Sequence, residues 1–225
     1  VLRMDYDTTQ TKQSHAKILS AFSRREAQIL VGTQMIAKGH DFPFVTLVGI
    51  LDGDQSLYYS DYMANERTFQ LITQVAGRSG RDKQPGKVIL QTYSKNHYCL
   101  QLAAKQDYLS FYKKEINLRE TTKFPPYAVV IRILYSGLKA EEVVTQLNDH
   151  YIKLTELQNE YPSDFIYLQR MRCAVKRIEN KYRYQTILRL SNEKYDEIIQ
   201  KIYKITDEND KNVSVFVQIN PQNMN

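Results

Sequence analysis

Two arginines three positions apart, Arg78 and Arg81, end the run Gln74-Val-Ala-Gly-Arg-Ser-Gly-Arg81. One helical turn presents both guanidinium groups on the same side. Gly77 and Gly80 remove side-chain bulk between them and let the backbone bend. Two guanidinium forks on a tight turn suit a polyphosphate better than a single carboxylate. The plainer alternative is a solvent-facing pair near a helix C-terminus, where positive charge is favourable anyway. The Gln-x-x-Gly-Arg-x-Gly-Arg spacing argues against that alternative. A second loop, Gly32-Thr-Gln-Met-Ile-Ala-Lys-Gly-His-Asp-Phe-Pro43, directly follows a short apolar run. Loops at the carboxyl ends of parallel strands are where open α/β sheets bind ligands. Thr33 and Gln34 supply hydroxyl and amide groups and Lys38 a cation, and such groups hold phosphates. Taken alone, this loop reads more simply as an ordinary strand-to-helix turn.

A third feature is a block of charge. The 225-residue chain carries a net charge of +6. The stretch from Arg170 to Arg189 alone holds Arg170, Arg172, Lys176, Arg177, Lys181, Arg183 and Arg189 against the single acid Glu179. Tyr167, Tyr182 and Tyr184 interleave with it. Basic groups beside aromatic rings suit phosphate neutralisation and base stacking. A solvated hairpin is the equally weighted alternative.

The elements that must hold these features follow from periodicity. Seven of the eight glycines lie between Gly32 and Gly86, and the run Phe124-Pro-Pro-Tyr127 marks a boundary where a helix must stop. Three segments are expected: 1–95 as one α/β unit, 96–127 as a helical connector ending in the proline pair, and 128–225 as a second unit. In the first, apolar strands Val1–Met4, Gln28–Gly32, Val45–Leu51 and Gly86–Thr92 alternate with helices His15–Phe22 and Glu66–Ala76. That order predicts a parallel sheet covered on both faces. Further helices are expected over Tyr98–Ala104 and Tyr108–Arg119. The last segment reads β-α-β-β-α-β. Val129, Ile131, Ile133 and Tyr135 alternate along a strand. Phe165–Leu168 is a weak strand, and Tyr184, Thr186, Leu188 and Leu190 alternate along a stronger one. Val213, Val215, Val217 and Ile219 make the last, and striped helices connect them. The basic block joins the two middle strands.

Composition narrows the class. Hydrophobic residues at 42% and charged ones at 25% exclude wholesale disorder. The longest apolar-rich stretch, Phe42–Leu51, is far short of the ~20 residues that span a bilayer, so no membrane association is expected. Cys99 and Cys173 are too few for a disulfide framework or a four-ligand zinc site. A reducing, cytoplasmic compartment is the natural expectation. His15, His40, His97 and His150 show no metal-ligand spacing, so no metal site is expected. Asp52-Gly-Asp54 imitates a magnesium-binding strand end. The chain contains no Gly-x-x-x-x-Gly-Lys-Ser/Thr phosphate loop, so this spot reads as a turn.

QVAGRSGR resembles the sixth motif of superfamily-two helicases, and GTQMIAKGHDFP their fifth. RMDYDTT, ILVGTQMIAKGHDFPFVTLVGILDGD, ERTFQLITQVAGRSGR, VILQT, FPPY and INPQNMN together resemble the primosomal protein N prime family of bacterial replication-restart helicases. The resemblance covers nearly the full chain and is densest from Val1 to Thr92. It implies the second RecA-like lobe of an ATP-driven DNA motor, followed by a smaller α+β domain. It implies that Arg78 and Arg81 reach the ATP γ-phosphate, with Arg81 as the arginine finger and Gln74 organising the motif. Gly39 and Asp41 then sit where the fifth motif approaches nucleotide. Thr33, Gln34 and Lys38 then face the DNA backbone, and the smaller C-terminal domain helps hold branched DNA or partner proteins. The charge pattern itself, not the resemblance, offers Arg172, Lys176, Arg177 and Arg183 as DNA contacts.

The same resemblance implies ATP and magnesium held mainly by a first lobe that this chain lacks, and zinc only in an upstream insertion also lacking here. The chain is accordingly read as a C-terminal fragment, inactive by itself. Implied partners are branched or single-stranded DNA, primosome proteins and single-stranded-DNA-binding protein. Gln218 stands where the family commonly has an acid. Two other readings stay open. One is a non-enzymatic adaptor with a degenerate helicase lobe. The other is a related translocase acting on other nucleic acid.

Overall fold

A computed structural model describes residues 1–9, 12–33, 36, 42–58, 61–77, 86–208 and 210–222. The chain forms two compact units. One comprises residues 1–59 and 64–112, the other residues 60–63 and 113–225.

The N-terminal unit is built from β-α-β crossovers. Strand β1 (Leu2–Met4) pairs in parallel with β2 (Leu30–Gly32), and helix α1 (Lys12–Ser23) connects them. Leu19 and Phe22 on α1 pack with Met4 and Phe42 into a small core. The rings of Phe22 and Phe42 meet edge to face at 4.9 Å, a favoured aromatic geometry. Gly32 is required where β2 ends. A Cβ there would stand 2.2 Å from the Met4 carbonyl oxygen. Strand β3 (Leu47–Ile50) pairs in parallel with β4 (Lys87–Leu90), and helix α2 (Ala64–Ala76) lies between them in sequence. Phe69 and Ile72 on α2 are buried with Cys99, Leu100 and Ala103 of α3 (Tyr98–Ala104) and with Phe111 of α4 (Tyr108–Thr122). The rings of Phe69 and Phe111 stack at 4.2 Å.

The C-terminal unit runs β5 (Val129–Gly137), α5 (Ala140–Glu160), β6 (Phe165–Ile178), β7 (Lys181–Leu190), α6 (Tyr195–Asp207) and β8 (Val213–Ile219). Its four strands form one antiparallel sheet in the order β6-β7-β5-β8. Ile131, Ile133 and Tyr135 of β5 face Leu188, Thr186 and Tyr184 of β7 in register. With Val143, Leu147 and Leu154 of α5 and Ile198 and Ile202 of α6 they make a continuous core, most of it with no exposed surface. The period of two along β5 and the i, i+4 stripe of α5 aim these side chains at one another across a single sheet face.

Three expectations need correction. The N-terminal strands are shorter than the apolar runs, and among the described residues they form two separate pairs rather than one sheet. They are also not covered on both faces: Val31 is 51% exposed, Leu47 56% and Ile89 50%. A crossover helix covers one side of a two-stranded pair, so alternate side chains on the other side stay open. Finally, the weak strand at Phe165–Leu168 continues to Ile178. Pairing with β7 holds the polar half extended, which no apolar alternation along that half could signal.

Candidate nucleotide-facing and nucleic-acid-facing sites

Two of the expected motif positions, DNA-facing Thr33 and nucleotide-facing Gln74, fall on described residues. Thr33 is exposed and directly follows β2. Its N–H donates to the Met4 carbonyl at 3.3 Å, and its own carbonyl accepts from Ile36 N–H at 3.1 Å. The strand ladder therefore turns away at this residue, leaving the hydroxyl outside. Gln74 lies exposed in the last turn of α2, where Gly77 N–H donates to Thr73 O at 3.0 Å and closes the helix. Gln34, Lys38, Gly39, Asp41, Arg78 and Arg81 lie outside the described residues.

The acidic turn between these motifs has a structural job. Asp52 adopts a positive φ of 52°. A Cβ on Gly53 would stand 2.4 Å from the Leu90 side chain, so the turn passes close over the end of β4. Asp54 is buried, and its carboxylate accepts from Thr92 Oγ1 and Tyr93 N–H, both at 2.7 Å. Burial alone would raise its pKa. The hydrogen bonds from Thr92 and Tyr93 outweigh that and hold the carboxyl below its ordinary value. Asp54 thus clamps the exit of β3 to the exit of β4. Among the described residues no cluster of three or more His, Cys, Asp or Glu side chains could hold a metal ion.

The basic block forms the outer half of the β6–β7 hairpin. Glu179 and Asn180 close it with φ of 48° and 65°, the left-handed pair that a two-residue hairpin turn requires. The register is broken between Arg172 and Arg177, so Cys173 to Lys176 bulge out of the ladder. A bulge of this kind bends and re-aims a strand. Arg170, Arg172, Lys176, Arg177 and Lys181 are exposed, while Arg183 is half-buried and donates to Val175 O at 3.4 Å. Among the described residues, no carboxylate lies within ion-pair distance of any of these six.

The seven cations divide by neighbour. Arg170 donates to Asn148 Oδ1 and lies over the Tyr151 ring at 4.8 Å, which ties it to α5. Arg189 donates to Thr122 O at 2.7 Å, and partial burial pulls its pKa down. The remaining five belong to the projecting half. Arg172 sits 5.8 Å over Tyr184 and Arg177 4.8 Å over Tyr182. The rings therefore carry guanidinium groups, which favours phosphate contact over base stacking as the chemistry of this surface. Beneath the hairpin, Cys173 and Arg132 are both buried, and Arg132 Nη2 donates to Cys173 Sγ at 3.8 Å. Sequence reading missed that buried arginine. Its only signal is a cation placed between Ile131 and Ile133 in an otherwise apolar strand.

Comparison with known proteins finds two family matches along the chain. The helicase conserved C-terminal domain matches residues 1–83, and the primosomal protein N C-terminal domain matches residues 120–222. Replication restart protein PriA of Bacillus subtilis is 40% identical over 230 residues, covering 100% of this chain and 28% of the relative. The same protein of Chlamydia pneumoniae is 39% identical over 189 residues, covering 84% of this chain and 25% of the relative. That of Haemophilus influenzae is 31% identical over 229 residues, covering 100% and 30%. The chain spans less than a third of the length of these relatives. No helix among the described residues is long and apolar enough to cross a membrane.

Proposed function

The chain belongs to the PriA family of replication restart proteins, and we propose that it supplies the C-terminal part of an ATP-driven DNA helicase acting in replication restart and primosome assembly. The N-terminal unit is the second RecA-like lobe. Arg78 and Arg81 meet the γ-phosphate of an ATP whose phosphates and magnesium are held mainly by the first lobe, and Gln74 organises that motif. Gly39 and Asp41 approach the nucleotide. Thr33, Gln34 and Lys38 face the DNA backbone. The C-terminal unit holds branched or single-stranded DNA through Arg172, Lys176, Arg177 and Arg183. Primosome proteins and single-stranded-DNA-binding protein are partners of the assembled enzyme, which works in the cytoplasm. Zinc belongs to a separate insertion of the longer protein.

The observation that carries this reading is the succession, within one chain, of a helicase C-terminal domain and a primosomal protein N C-terminal domain. The chemistry follows from charge. A guanidinium placed at a transferring phosphoryl group stabilises negative charge as it develops, and such a residue contributes ~10³ to 10⁵ in rate. Arg81→Ala in the full-length protein is expected to lower ATP turnover by about 10³-fold or more while affinity for forked DNA stays nearly unchanged. Equal loss of both would make Arg81 structural. The 225-residue chain alone is expected to hydrolyse no ATP. A full-length protein that binds forks without any ATP turnover would instead be an adaptor.

A further inference from the structure

One face of the sheet in the C-terminal unit packs against α5 and α6; the other is partly open. Register fixes which side chains share the open face. Ser136 of β5 pairs with Arg183 of β7 and with Ser214 of β8, and Leu134 of β5 pairs with Gln185 and with Phe216. Successive strand residues point to opposite faces. These two rows therefore lie on the side away from Ile133, Tyr135 and Val215, which pack with the helices. Arg132 and Arg189 belong to the same face by the same period. The four strands β5, β6, β7 and β8 contain no Asp or Glu. The face is thus one of arginines without a compensating acid on any strand.

Its two ends differ. At one end Arg189 donates to Thr122 O at 2.7 Å and lies 4.3 Å over the Phe124 ring, so residues of the same unit cover that end. At the other end Ser214 is exposed and Phe216 is 59% exposed. The Cys173–Lys176 bulge borders the face. Cys173 Sγ accepts from Arg132 Nη2, Val175 O accepts from Arg183 Nη1, and Lys176 is exposed. An exposed phenylalanine alone means little. Here the hairpin rings Tyr182 and Tyr184 are taken by guanidinium groups, whereas no cation lies over Phe216 among the described residues. The other exposed ring described in this unit, Tyr203, belongs to α6 on the helix side.

We propose that this open face binds single-stranded DNA, with a base stacked on Phe216 and backbone phosphate at Arg183 and Lys176. The proposal deepens the DNA-binding reading given above and rests on it. A polyanion whose repeating unit carries a planar ring satisfies both the cations and the phenylalanine, whereas an acidic peptide satisfies only the cations. Bases paired inside a duplex offer no free face to a ring on a sheet, and unpaired bases stack on exposed aromatic side chains. Strand β5 separates β8 from β7, so Phe216 and Arg183 stand on strands about 10 Å apart. A single strand crossing the sheet from β8 to β7 meets the ring first and the cations next.

The test uses the 225-residue chain with an oligodeoxythymidine and with a blunt duplex of the same length. The chain contains no tryptophan, so emission from Phe216→Trp reports this position alone. Phe216→Trp is expected to bind the oligodeoxythymidine as tightly as wild type, with its emission quenched. Phe216→Ala is expected to weaken single-strand binding by about 5-fold or more, the scale of one lost base–ring stack. Duplex affinity and thermal midpoint are expected to stay unchanged, because the exposed ring contributes little packing. Unquenched emission from Phe216→Trp at saturating oligodeoxythymidine overturns the proposal, as does wild-type single-strand affinity in Phe216→Ala. So do equal losses on single strand and duplex, which mark a structural role. Quenching of Phe216→Trp by polyglutamate but not by oligodeoxythymidine overturns it in favour of an acidic protein. A wild-type chain that binds neither oligonucleotide refutes the DNA-binding reading itself and is thereby distinguished from failure of this site alone.

Discussion

The N-terminal unit holds short parallel strand pairs whose apolar side chains stand half open, as Val31, Leu47 and Ile89 do. The C-terminal unit folds four antiparallel strands and two helices around side chains such as Ile131, Ile133, Leu154, Leu188 and Ile202, each with no exposed surface. Its charged hairpin then stands clear of that core. In the first unit the two described motif residues, Thr33 and Gln74, stand exposed at a strand end and in the last turn of a helix. In the second, exposed cations stand on a scaffold that packs against itself. On the proposed reading, motor halves that meet across a nucleotide leave surface uncovered until they meet. A domain that holds a polyanion needs a rigid base and accessible charge.

This contrast breaks first under core truncation. Ile133→Ala is expected to destabilise the C-terminal unit by ~2–5 kcal/mol, through lost burial and an unfilled cavity. The half-open Ile89 truncated in the same way is expected to cost a small fraction of that. Denaturant midpoints of the 225-residue chain, read by probes in each unit, check both values. A smaller effect follows for the clamp in the N-terminal unit. Asp54→Ala leaves the Thr92 hydroxyl and the Tyr93 N–H without their acceptor and is expected to cost ~1–3 kcal/mol. Hydrogen exchange at β3 and β4 would report it, with β5 and β7 unmoved.

Acid sharpens the same comparison. In the C-terminal unit His150 is buried, beside Gln146 Nε2 at 2.6 Å and Glu208 O at 3.2 Å, and burial lowers its pKa below the ordinary 6.5. The unfolded chain therefore takes up the proton first as pH falls. The stabilisation from keeping His150 neutral is full above pH 6.5 and is lost progressively as pH drops from there toward the lowered folded value. Asp54 has the opposite chemistry but the same sense. Its folded pKa lies below 3.8, so its contribution is full above that value and disappears as pH falls through the folded pKa. Protection in β5 and β7 is thus expected to fall in mild acid before protection in β3 and β4 does. His150→Gln should remove the earlier slope. Simultaneous loss in both units, unchanged by that variant, would contradict these assignments.

The legible parts of the fold share a physical basis. Val129, Ile131, Ile133 and Tyr135 alternate because one face of β5 packs into the helix-lined core, although Val130 and Arg132 on its other face are buried as well. The partners of the core-facing set on β7 show the same period. The stripe of Ile198 and Ile202 on α6 was equally plain for the same reason. The open faces of the N-terminal strands are not legible, because a run such as Val45–Leu51 does not say whether anything covers its second face. The outer half of β6 is not legible either, because Arg170, Arg172 and Arg177 sit in strand through pairing with β7 and a turn at Glu179-Asn180, not through apolar patterning. At the candidate sites, residue type and spacing singled out the paired arginines and the basic block. They could not show that Asp54 reaches Thr92 and Tyr93, or that Tyr62 stacks on Phe124, because both pairings join distant parts of the chain.

The central claim is that the C-terminal unit meets DNA through the free phosphate-binding charge of its hairpin. Affinity of the full-length protein for forked DNA, measured across a salt series with Arg172, Lys176, Arg177 and Arg183 replaced by alanine, tests it most directly. Affinity is expected to fall, and the slope of log affinity against log salt to flatten by ~0.9 for each duplex phosphate contact removed. Unchanged affinity with an unchanged slope would contradict the claim.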